Sequence, residues 1–377
     1  MRGFMAEFGI TRLARLTGLD CVGVPVWSAI RPNARTLAQS QGKGIDDDFA
    51  MASALMEAVE VATAERDDLP ARRASRSELL RAGLTVETCE NLLRKGAAQF
   101  EADEVVDWFE AEDLMTGRAV YVPYEAATFS ADPATTRYWQ TSDGLASGNT
   151  AWESRLHGLC ERIERDAATL WLLRSDKDIV SRCVDPRSFA DPVMAGFCNQ
   201  IRRAGLQLRL FNASCDTKTP VYAAFLSPIA DGGEHQWKFF DLSSGWGCHP
   251  RPLRAALRAV TEAAQTRLTT ISATRDDFDP RRYHEPIDRS LLVYPRATPM
   301  FVAGLEGSPT LNRQEFLPRL LQNMADTGVR SVLAVPLERG ERGFAVTRIL
   351  VADLESPMGD RASRFGPRAV KFYEGQR

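Results

Sequence analysis

Two glutamates three residues apart, Glu161 and Glu164, are the residues whose spacing most directly suggests chemistry. They lie in a segment whose apolar residues recur at helical spacing, so the two carboxylates are predicted to share one helix face. Like charges at this spacing repel by about 0.2–0.5 kcal/mol. A half-buried pair would need a cation, such as a divalent metal with a phosphate ligand. The alternative is a solvated face neutralised by Arg162 and Arg165.

The same pattern of residues occurs at two other places in the chain. The segment 53–60 aligns without gaps on 157–164, which makes Glu57 and Glu60 the counterparts of the first pair. A Glu-x-x-Gln version follows at Glu262 and Gln265. The leading glutamates are about a hundred residues apart, a period too long for a solenoid. Three similar acidic helices predict convergence on one site, and chance recurrence of common helix residues is the alternative.

The composition excludes several classes of protein. The chain has 377 residues, 44% hydrophobic and 26% charged, with a net charge of −3. This balance excludes a largely disordered chain and gives no sign of nucleic-acid binding. Seven cysteines without a C-x-x-C pair indicate a reduced, cytoplasmic protein and neither a disulfide framework nor a zinc ribbon. Neither a signal peptide nor a membrane-spanning run is expected.

The elements that must position the glutamates are short helices and strands, without a long parallel βαβ series. This favours an α+β fold of mixed short sheets with packed helices, working as one catalytic unit. Helices are predicted at 48–66, as a pair over 75–100, from about 150 through the central acidic segment, at 191–204, up to about 270 and at 313–327. Strands are predicted at 21–30, 119–123, 206–211, 220–226, 331–337 and 344–353.

Several residues outside the acidic pairs have chemistry suited to phosphate or to a ligand. Gly42-Lys43-Gly44 could bring backbone donors and an ammonium to a phosphate, or form a plain turn. Asn149 is placed as the N-cap of the central helix, or as a ligand contact. Arg267 and Arg275 suit bidentate pairing with phosphate, and Arg258 shares a face with Glu262; surface and helix ion pairs are the alternatives. Gly245 and Gly247 are predicted to have a conformational role.

Taken together, these motifs resemble the YcaO family of ATP-dependent enzymes that modify peptide backbones. The resemblance rests on order, spacing and chemistry across about residues 9–355, with a polar tail at 356–377, and treats 1–377 as one catalytic domain. Three segments carry it. They are Gly42–Gly44 with Ser53–Glu60, Gly144–Asn149 with Glu153 and Glu161–Asp166, and Arg258 with Glu262–Arg267 and Arg275–Asp277.

The resemblance implies an enzyme that binds ATP and Mg²⁺ and phosphorylates the oxygen of a peptide amide. Attack by a neighbouring Cys, Ser or Thr then gives an azoline ring, and attack by external sulfide gives a thioamide. By position, Mg²⁺ would be held, or the nucleotide contacted, by Glu57, Glu60, Glu153, Glu161 and Glu164. The nucleotide would be contacted by Lys43, Ser53, Asn149, Arg165, Arg258, Glu262, Gln265 and Arg267. No residue is assigned to proton transfer.

Departures from the family pattern indicate which branch the chain resembles. Val61 stands where the family often has Arg, and the C-terminus lacks the proline-rich ending of many azoline-forming members. Val346–Glu355 and the later Gly359–Ala362 look more like members that work beside a TfuA protein. The resemblance therefore points to thioamide formation, with a substrate peptide or protein and a TfuA-like protein as partners. It leaves a homodimer open.

Two other classes of function are weighed against the enzyme. A nucleotide-binding scaffold subunit would keep the fold without turnover, but it has little need for repelling carboxylates. A peptide-binding module alone would leave those carboxylates unexplained.

Overall fold

The computed structural model describes residues 2–130, 135–229, 237–273, 279–305, 312–356 and 365–375. The chain divides into two compact units. The first contains Met1–Ala58 and Trp171–Leu311, and the second contains Val59–Leu170 and Asn312–Arg377. Both contain helices packed with short sheets, which confirms the α+β prediction. That the chain works as one catalytic unit stays a prediction.

The elements follow one another in short alternation. The strands are β1 (Arg12–Arg15), β2 (Val26–Ile30), β3 (Gln39–Lys43), β4 (Arg72–Ser75), β5 (Val105–Asp113), β6 (Arg118–Pro123), β7 (Leu145–Gly148), β8 (Cys183–Val184), β9 (Leu206–Asn212), β10 (Val221–Pro228), β11 (Ser243–Cys248), β12 (Leu333–Arg339) and β13 (Ala345–Leu350). The helices are α1 (Arg2–Glu7), α2 (Asp47–Ala64), α3 (Arg76–Arg81), α4 (Tyr124–Ala127), α5 (Ala151–Trp171), α6 (Asp176–Ser181), α7 (Pro192–Arg203), α8 (Pro252–Ser272), α9 (Val293–Arg296), α10 (Phe316–Asp326) and α11 (Pro367–Glu374).

The first unit contains two antiparallel sheets. One has the strand order β1-β2-β3 and the other the order β11-β10-β9-β8. The core of the larger sheet combines strand residues such as Leu210 with Phe197 and Ile201 from α7 and Val260 from α8, all at most 4% exposed. Burial of these apolar side chains is the main stabilising contribution to this unit.

The second unit is built on a six-stranded antiparallel sheet. Its order is β4-β5-β12-β13-β7, and β6 pairs with β5. Helix α5 packs on β13, where the Oγ atoms of Ser154 and Thr347 form a buried hydrogen bond of 2.7 Å. Leu159 and Ile163 of α5 are fully buried, as the apolar spacing predicted. The sheet therefore fixes the orientation of the acidic face of α5.

Each of the three acidic helices follows a strand that carries a glycine. These pairs are β3 with α2, β7 with α5, and β11 with α8. A Cβ atom added to Gly42 would lie 1.9 Å from the backbone N of Ala54, and one added to Gly245 would lie 2.1 Å from that of Ala263. At Gly148 the corresponding distance to Ser154 N is 2.6 Å. Each helix thus folds back over a strand where only glycine fits, which confirms the conformational role predicted for Gly245.

Replacing Gly245 by alanine is expected to destabilise the protein by about 3 kcal/mol, because the new methyl group would push α8 away from β11. Gly196 is the matched control, since it lies in α7 with no atom within 4 Å of an added Cβ. Alanine there should raise stability by about 0.5–1 kcal/mol. Urea unfolding of both variants measures the difference. Equal effects at the two sites would contradict the close packing of α8.

Several sequence-based predictions of secondary structure are wrong. The helical pair over 75–100 is instead the single short helix α3, followed by irregular backbone with a 3₁₀ turn at Glu90–Leu92. Gly42–Lys43 end a strand and do not form a turn, and Gly245–Gly247, which precede α8 in the chain, belong to β11. Helix α11 lies in the tail that was predicted only as polar. Arg275–Asp277 and Gly359–Ala362 lie outside the described residues.

Candidate active site

The acidic face of α5 is half-buried. The Glu161 side chain is 21% exposed and that of Glu164 is 4% exposed. Arg162 and Asp166 on the same helix are 3% and 0% exposed. The alternative of a solvated face is therefore wrong, because water reaches little of this surface. Its other part is confirmed for Arg165, which pairs with both glutamates. Each charge here must be compensated by a neighbouring group.

Asp143, in the loop before β7, compensates two of the arginines of α5. Its carboxylate lies 3.4 Å from Arg162 Nη1 and 3.3 Å from Arg165 Nε, and it accepts a hydrogen bond of 2.5 Å from Ser356 Oγ. Burial would raise the pKa of the Asp143 carboxyl, but Arg162 and Arg165 together with Ser356 hold it below its ordinary value. Asp143 is thus an ionised, fully engaged carboxylate.

The carboxylate of Glu161, in contrast to that of Asp143, is only partly compensated. Its Oε2 accepts a hydrogen bond of 3.1 Å from Gly144 N, and its Oε1 lies 3.4 Å from Arg165 Nη2. Burial nevertheless raises the pKa of Glu161. Arg165 compensates the charge of this carboxylate only in part, and the nearby Asp143 repels it. The structure therefore holds a half-buried carboxylate that an additional cation would stabilise.

Arg165 lies among three carboxylates. Besides Asp143 and Glu161 it approaches Glu164, with 3.8 Å between Nη1 and Oε1. The prediction that Arg165 contacts a nucleotide is not tested here, but the structure brings this guanidinium together with the glutamates predicted to hold the metal. A phosphate approaching these glutamates would meet the cation as well.

The start of α5 differs from the sequence-based prediction. Thr150, and not Asn149, caps the helix: its Oγ1 accepts a hydrogen bond of 3.2 Å from Glu153 N. Asn149 contributes its backbone N, which donates to Glu153 Oε2 at 2.8 Å. The side chain of Asn149 is exposed, and Glu153 also pairs with Arg313.

Replacing Thr150 by alanine is expected to lower the free energy of unfolding by about 1 kcal/mol, because the N–H of Glu153 loses its cap. Replacing Asn149 by alanine should change it by at most about 0.5 kcal/mol, since the structure uses only the backbone of this residue for the helix start. Thermal and urea unfolding measure both. The opposite ranking would restore Asn149 as the cap.

The paired glutamates of α2 have different surroundings. Glu60 Oε1 accepts a hydrogen bond of 2.6 Å from Ser147 N in β7, the strand that leads into α5. Glu57, one helical turn earlier, is exposed, and Ser53 is partly exposed. The structure therefore places Glu60 beside the strand preceding α5. The convergence of all three acidic helices stays a prediction.

In the first unit, two residues predicted to contact the nucleotide contact each other. Lys43 Nζ at the end of β3 lies 2.6 Å from Glu262 Oε2 on α8. About a fifth of each side chain is exposed. The other carboxylate oxygen of Glu262 accepts a hydrogen bond of 3.4 Å from Trp246 N. A ligand could separate Lys43 from Glu262 and bind either group without a large movement of the backbone, because both side chains reach solvent.

The remaining residues of α8 are held in different ways. Gln265 donates to the backbone oxygen of Gln41 at 3.0 Å. Arg267 Nε lies 2.9 Å from Asp20, whose side chain is 3% exposed, so a buried ion pair replaces the surface pair that was the alternative. Arg258 is exposed. Of these three, Arg258 is therefore the most accessible to an incoming ligand.

The donor set agrees with the chemistry of magnesium. Carboxylate oxygens are the protein ligands that Mg²⁺ prefers, and the five glutamates predicted for this role supply only such atoms. The raised pKa of Glu161 identifies one carboxylate with incomplete compensation. Among the residues that the model describes, no group of three or more His, Cys, Asp or Glu side chains is arranged to hold a metal ion.

Sequence reasoning missed the residues that hold this face together. Asp143 and Ser356 are 213 positions apart, and Arg348 on β13 is buried near both Asp143 and Glu161. Burial lowers the pKa of Arg348 to about 10. No local spacing links these positions. The one available signal is an Asp-Gly pair directly before the strand that leads into α5.

No helix in the described ranges is both long enough and apolar enough to cross a membrane.

Comparison with known proteins gives three kinds of match. The family model for YcaO cyclodehydratase, ATP- and Mg²⁺-binding, matches residues 41–355. A protein encoded in the tfuA 3′ region of Rhizobium leguminosarum bv. trifolii is 36% identical over all of this chain and 90% of its own length. A protein of Methanothermobacter thermautotrophicus is 32% identical over 93% of this chain and 91% of its own.

Solved structures share the fold. A YcaO protein from Methanopyrus kandleri, bound with AMPPCP and Mg²⁺, has a TM-score of 0.68 at 20% identity over 94% of this chain and 89% of its own. A heterocyclase in complex with substrate and cofactor has a TM-score of 0.73 at 20% identity over 94% of this chain. This chain spans about half of that heterocyclase, 52% of its length.

The family model covers most of the chain, and its description confirms ATP and Mg²⁺ as the cofactors. By this match and by its identity to the relative from the tfuA region, the chain belongs to the YcaO family.

Proposed function

We propose that the protein uses ATP and Mg²⁺ to phosphorylate a backbone amide oxygen of a peptide or protein, and that the product is a thioamide. The observation that carries the proposal is the half-buried, incompletely compensated Glu161, flanked by Arg165 and by Glu164 on one face of α5. Phosphoryl transfer requires mainly positioning and charge neutralisation, and this face provides groups for both.

The residues have complementary roles in this proposal. Mg²⁺ would be held by Glu57, Glu60, Glu153, Glu161 and Glu164. The nucleotide would be contacted by Lys43, Ser53, Asn149, Arg165, Arg258, Glu262, Gln265 and Arg267. Lys43, Arg165 and Arg313 pair with four of these glutamates in the structure. Binding of the metal nucleotide would replace these cations by metal at the carboxylates and by phosphate at the cations. The bound metal nucleotide supplies the phosphoryl group and neutralises charge.

The proposed bond changes balance as follows. The amide oxygen bonds to the γ-phosphorus, ADP leaves, and the amide nitrogen gives up its proton. Hydrosulfide then bonds to the amide carbon, and the carbon–oxygen bond breaks to release phosphate carrying the original oxygen. The proton of the sulfur moves to the nitrogen, which leaves a thioamide. The location of the Rhizobium relative in the tfuA region supports this product and a TfuA-like partner.

The alternative product is an azoline. The family model describes a cyclodehydratase, and the fold is also that of a subunit of the Escherichia coli microcin synthetase McbBCD complex, at a TM-score of 0.63 and 12% identity. In that case a Cys, Ser or Thr side chain of the peptide replaces hydrosulfide as nucleophile. A scaffold subunit without turnover is the third candidate.

A single assay separates these candidates. The purified chain is incubated with ATP, Mg²⁺, sulfide and short peptides encoded beside its gene, with and without a TfuA-like protein, and ADP release and peptide mass are measured. A gain of about 16 Da indicates a thioamide, and a loss of about 18 Da indicates an azoline, from the formula differences of these covalent changes. ATP binding without turnover under every condition would favour the scaffold and contradict the enzyme.

A further inference from the structure

A small pocket of about 20 Å³, lined in part by Arg162 of α5, lies in the second unit. Its polar lining is contributed by Trp139, Thr141, Asp143, Arg162, Arg348 and Ser356. The rest of the lining is mainly apolar and includes Leu92 and Val351. A pocket of this size has room for a small ion or for water, but not for a larger ligand.

The guanidinium of Arg348 is the main unexplained group in this cavity. Arg348 is 4% exposed, and its Nη2 donates to the backbone oxygen of Thr141. Its Nε and Nη1 are buried and have no hydrogen-bond acceptor among the residues that the structure describes. The Phe129 ring lies 5.9 Å from the guanidinium carbon and offers only its face. Buried charged donors are costly unless they are bonded, so these two positions call for an acceptor.

A second unsatisfied donor lies in the same cavity. The Nε1 atom of Trp139 is buried and has no partner among the described residues. The indole can only donate, as can the guanidinium of Arg348. Two side chains from different parts of the chain, Trp139 before β7 and Arg348 in β13, thus present donors to one enclosed space.

The charges around the pocket are of both signs, so its preference for an anion rests on unbonded donors. Arg162 and Arg348 in the lining are cationic and Asp143 is anionic. The Asp143 carboxylate is engaged by Arg162, Arg165 and Ser356. Glu161, which is bonded to Gly144 N and paired with Arg165, also attracts Arg348. Among the described residues, what Arg348 lacks is therefore acceptors for its Nε and Nη1 groups, and an anion would supply them.

We propose that this cavity is a binding site for a small oxyanion, held by Arg348 and Trp139. A guanidinium binds phosphate and carboxylate oxygens through paired N–H groups, and an indole N–H adds a third donor. The site adjoins Glu161, one of the glutamates proposed to hold Mg²⁺, but it uses none of them as a ligand. The inference stands whether or not the proposed reaction is correct.

The test observes the indole N–H of Trp139 directly. In protein labelled with ¹⁵N at its seven tryptophans, the Trp139 signal is identified as the one missing from Trp139→Phe. Titration with inorganic phosphate, without nucleotide or metal, is expected to shift this signal in a saturable way. Titration with formate distinguishes a carboxylate site from a phosphate site, and a saturable shift with either anion supports the proposal.

Matched variants test whether the shift of the Trp139 signal depends on Arg348. Arg348→Met should abolish the shift of the Trp139 signal, whereas Arg73→Met, at an exposed position on β4, should leave it unchanged. If Arg348→Met does not fold, Arg348→Lys should weaken anion binding at least tenfold, because an ammonium cannot reproduce the planar fork. A Trp139 signal that neither anion moves would mean that ordered water fills the cavity, and would overturn the proposal. An equal shift in the Arg348 variants would overturn it too.

Discussion

Replacing Glu161 by glutamine is expected to reduce peptide-dependent ATP turnover by about 10²–10³-fold, the size of effect seen when one preorganised electrostatic contact to a transition state is removed. Glutamine keeps the size of the side chain and an oxygen that can accept from Gly144 N. It removes the negative charge, so Mg²⁺ would lose one of its proposed ligands while the fold is retained. Coupled measurement of ADP release at saturating Mg²⁺ gives the effect.

The control is Glu101→Gln, a change of the same chemistry at an exposed position far along the chain from the acidic helices. Turnover should be unchanged there. Because burial raises the pKa of Glu161 in the structure without metal, the glutamine variant should also be at least as stable as the parent protein when metal is absent. Full turnover in Glu161→Gln would contradict the metal role of this residue.

Replacing Asp143 by asparagine is expected to destabilise the protein by about 3 kcal/mol, because it leaves buried arginine charge without its counter-ion. Arg162 is 3% exposed, and its remaining partners are the backbone oxygens of Leu354 and Glu355. The matched control is Asp107→Asn, which breaks an exposed pair with Arg73. Exposed pairs contribute about 0–1 kcal/mol, so the control should lose far less. Urea unfolding at neutral pH measures both.

The stability of the Asp143→Asn variant should also depend on pH in a predictable way. The pKa of Asp143 is lowered on folding, so its contribution to stability is complete above the unfolded-state pKa and is lost as pH falls through the folded-state value. The pKa of Glu161 is raised on folding, so its contribution is present below the unfolded-state pKa and is lost as pH rises through the folded-state value. The asparagine variant should therefore show a flatter loss of stability in acid. If the variant lost stability in acid as steeply as the parent protein, a group other than Asp143 would be responsible for the loss.

The wrong prediction over 75–100 has a physical cause. The segment around it is rich in charged residues of high helix propensity, and local sequence alone favours helices there. Yet the backbone of this segment bonds to distant residues. Thr85 and Glu87 exchange hydrogen bonds with Tyr121 of β6, and Leu92 and Arg94 bond to the 137–139 segment. This long-range pairing overrides the local preference.

The sequence by itself determined the parts of this protein that depend on local spacing. These include the apolar and acidic faces of α5, the glutamate pairs, the α+β class and the family, because helical periodicity and motif order are properties of neighbouring residues. Only the tertiary structure decided which charged side chains form ion pairs with each other. Asp143 pairs with Arg162 and Arg165 and bonds to Ser356, and Arg348 comes from β13 to the same cavity. These contacts join distant segments. Burial raises the pKa of Glu161, whereas Arg162, Arg165 and Ser356 outweigh burial at Asp143 and lower the pKa there.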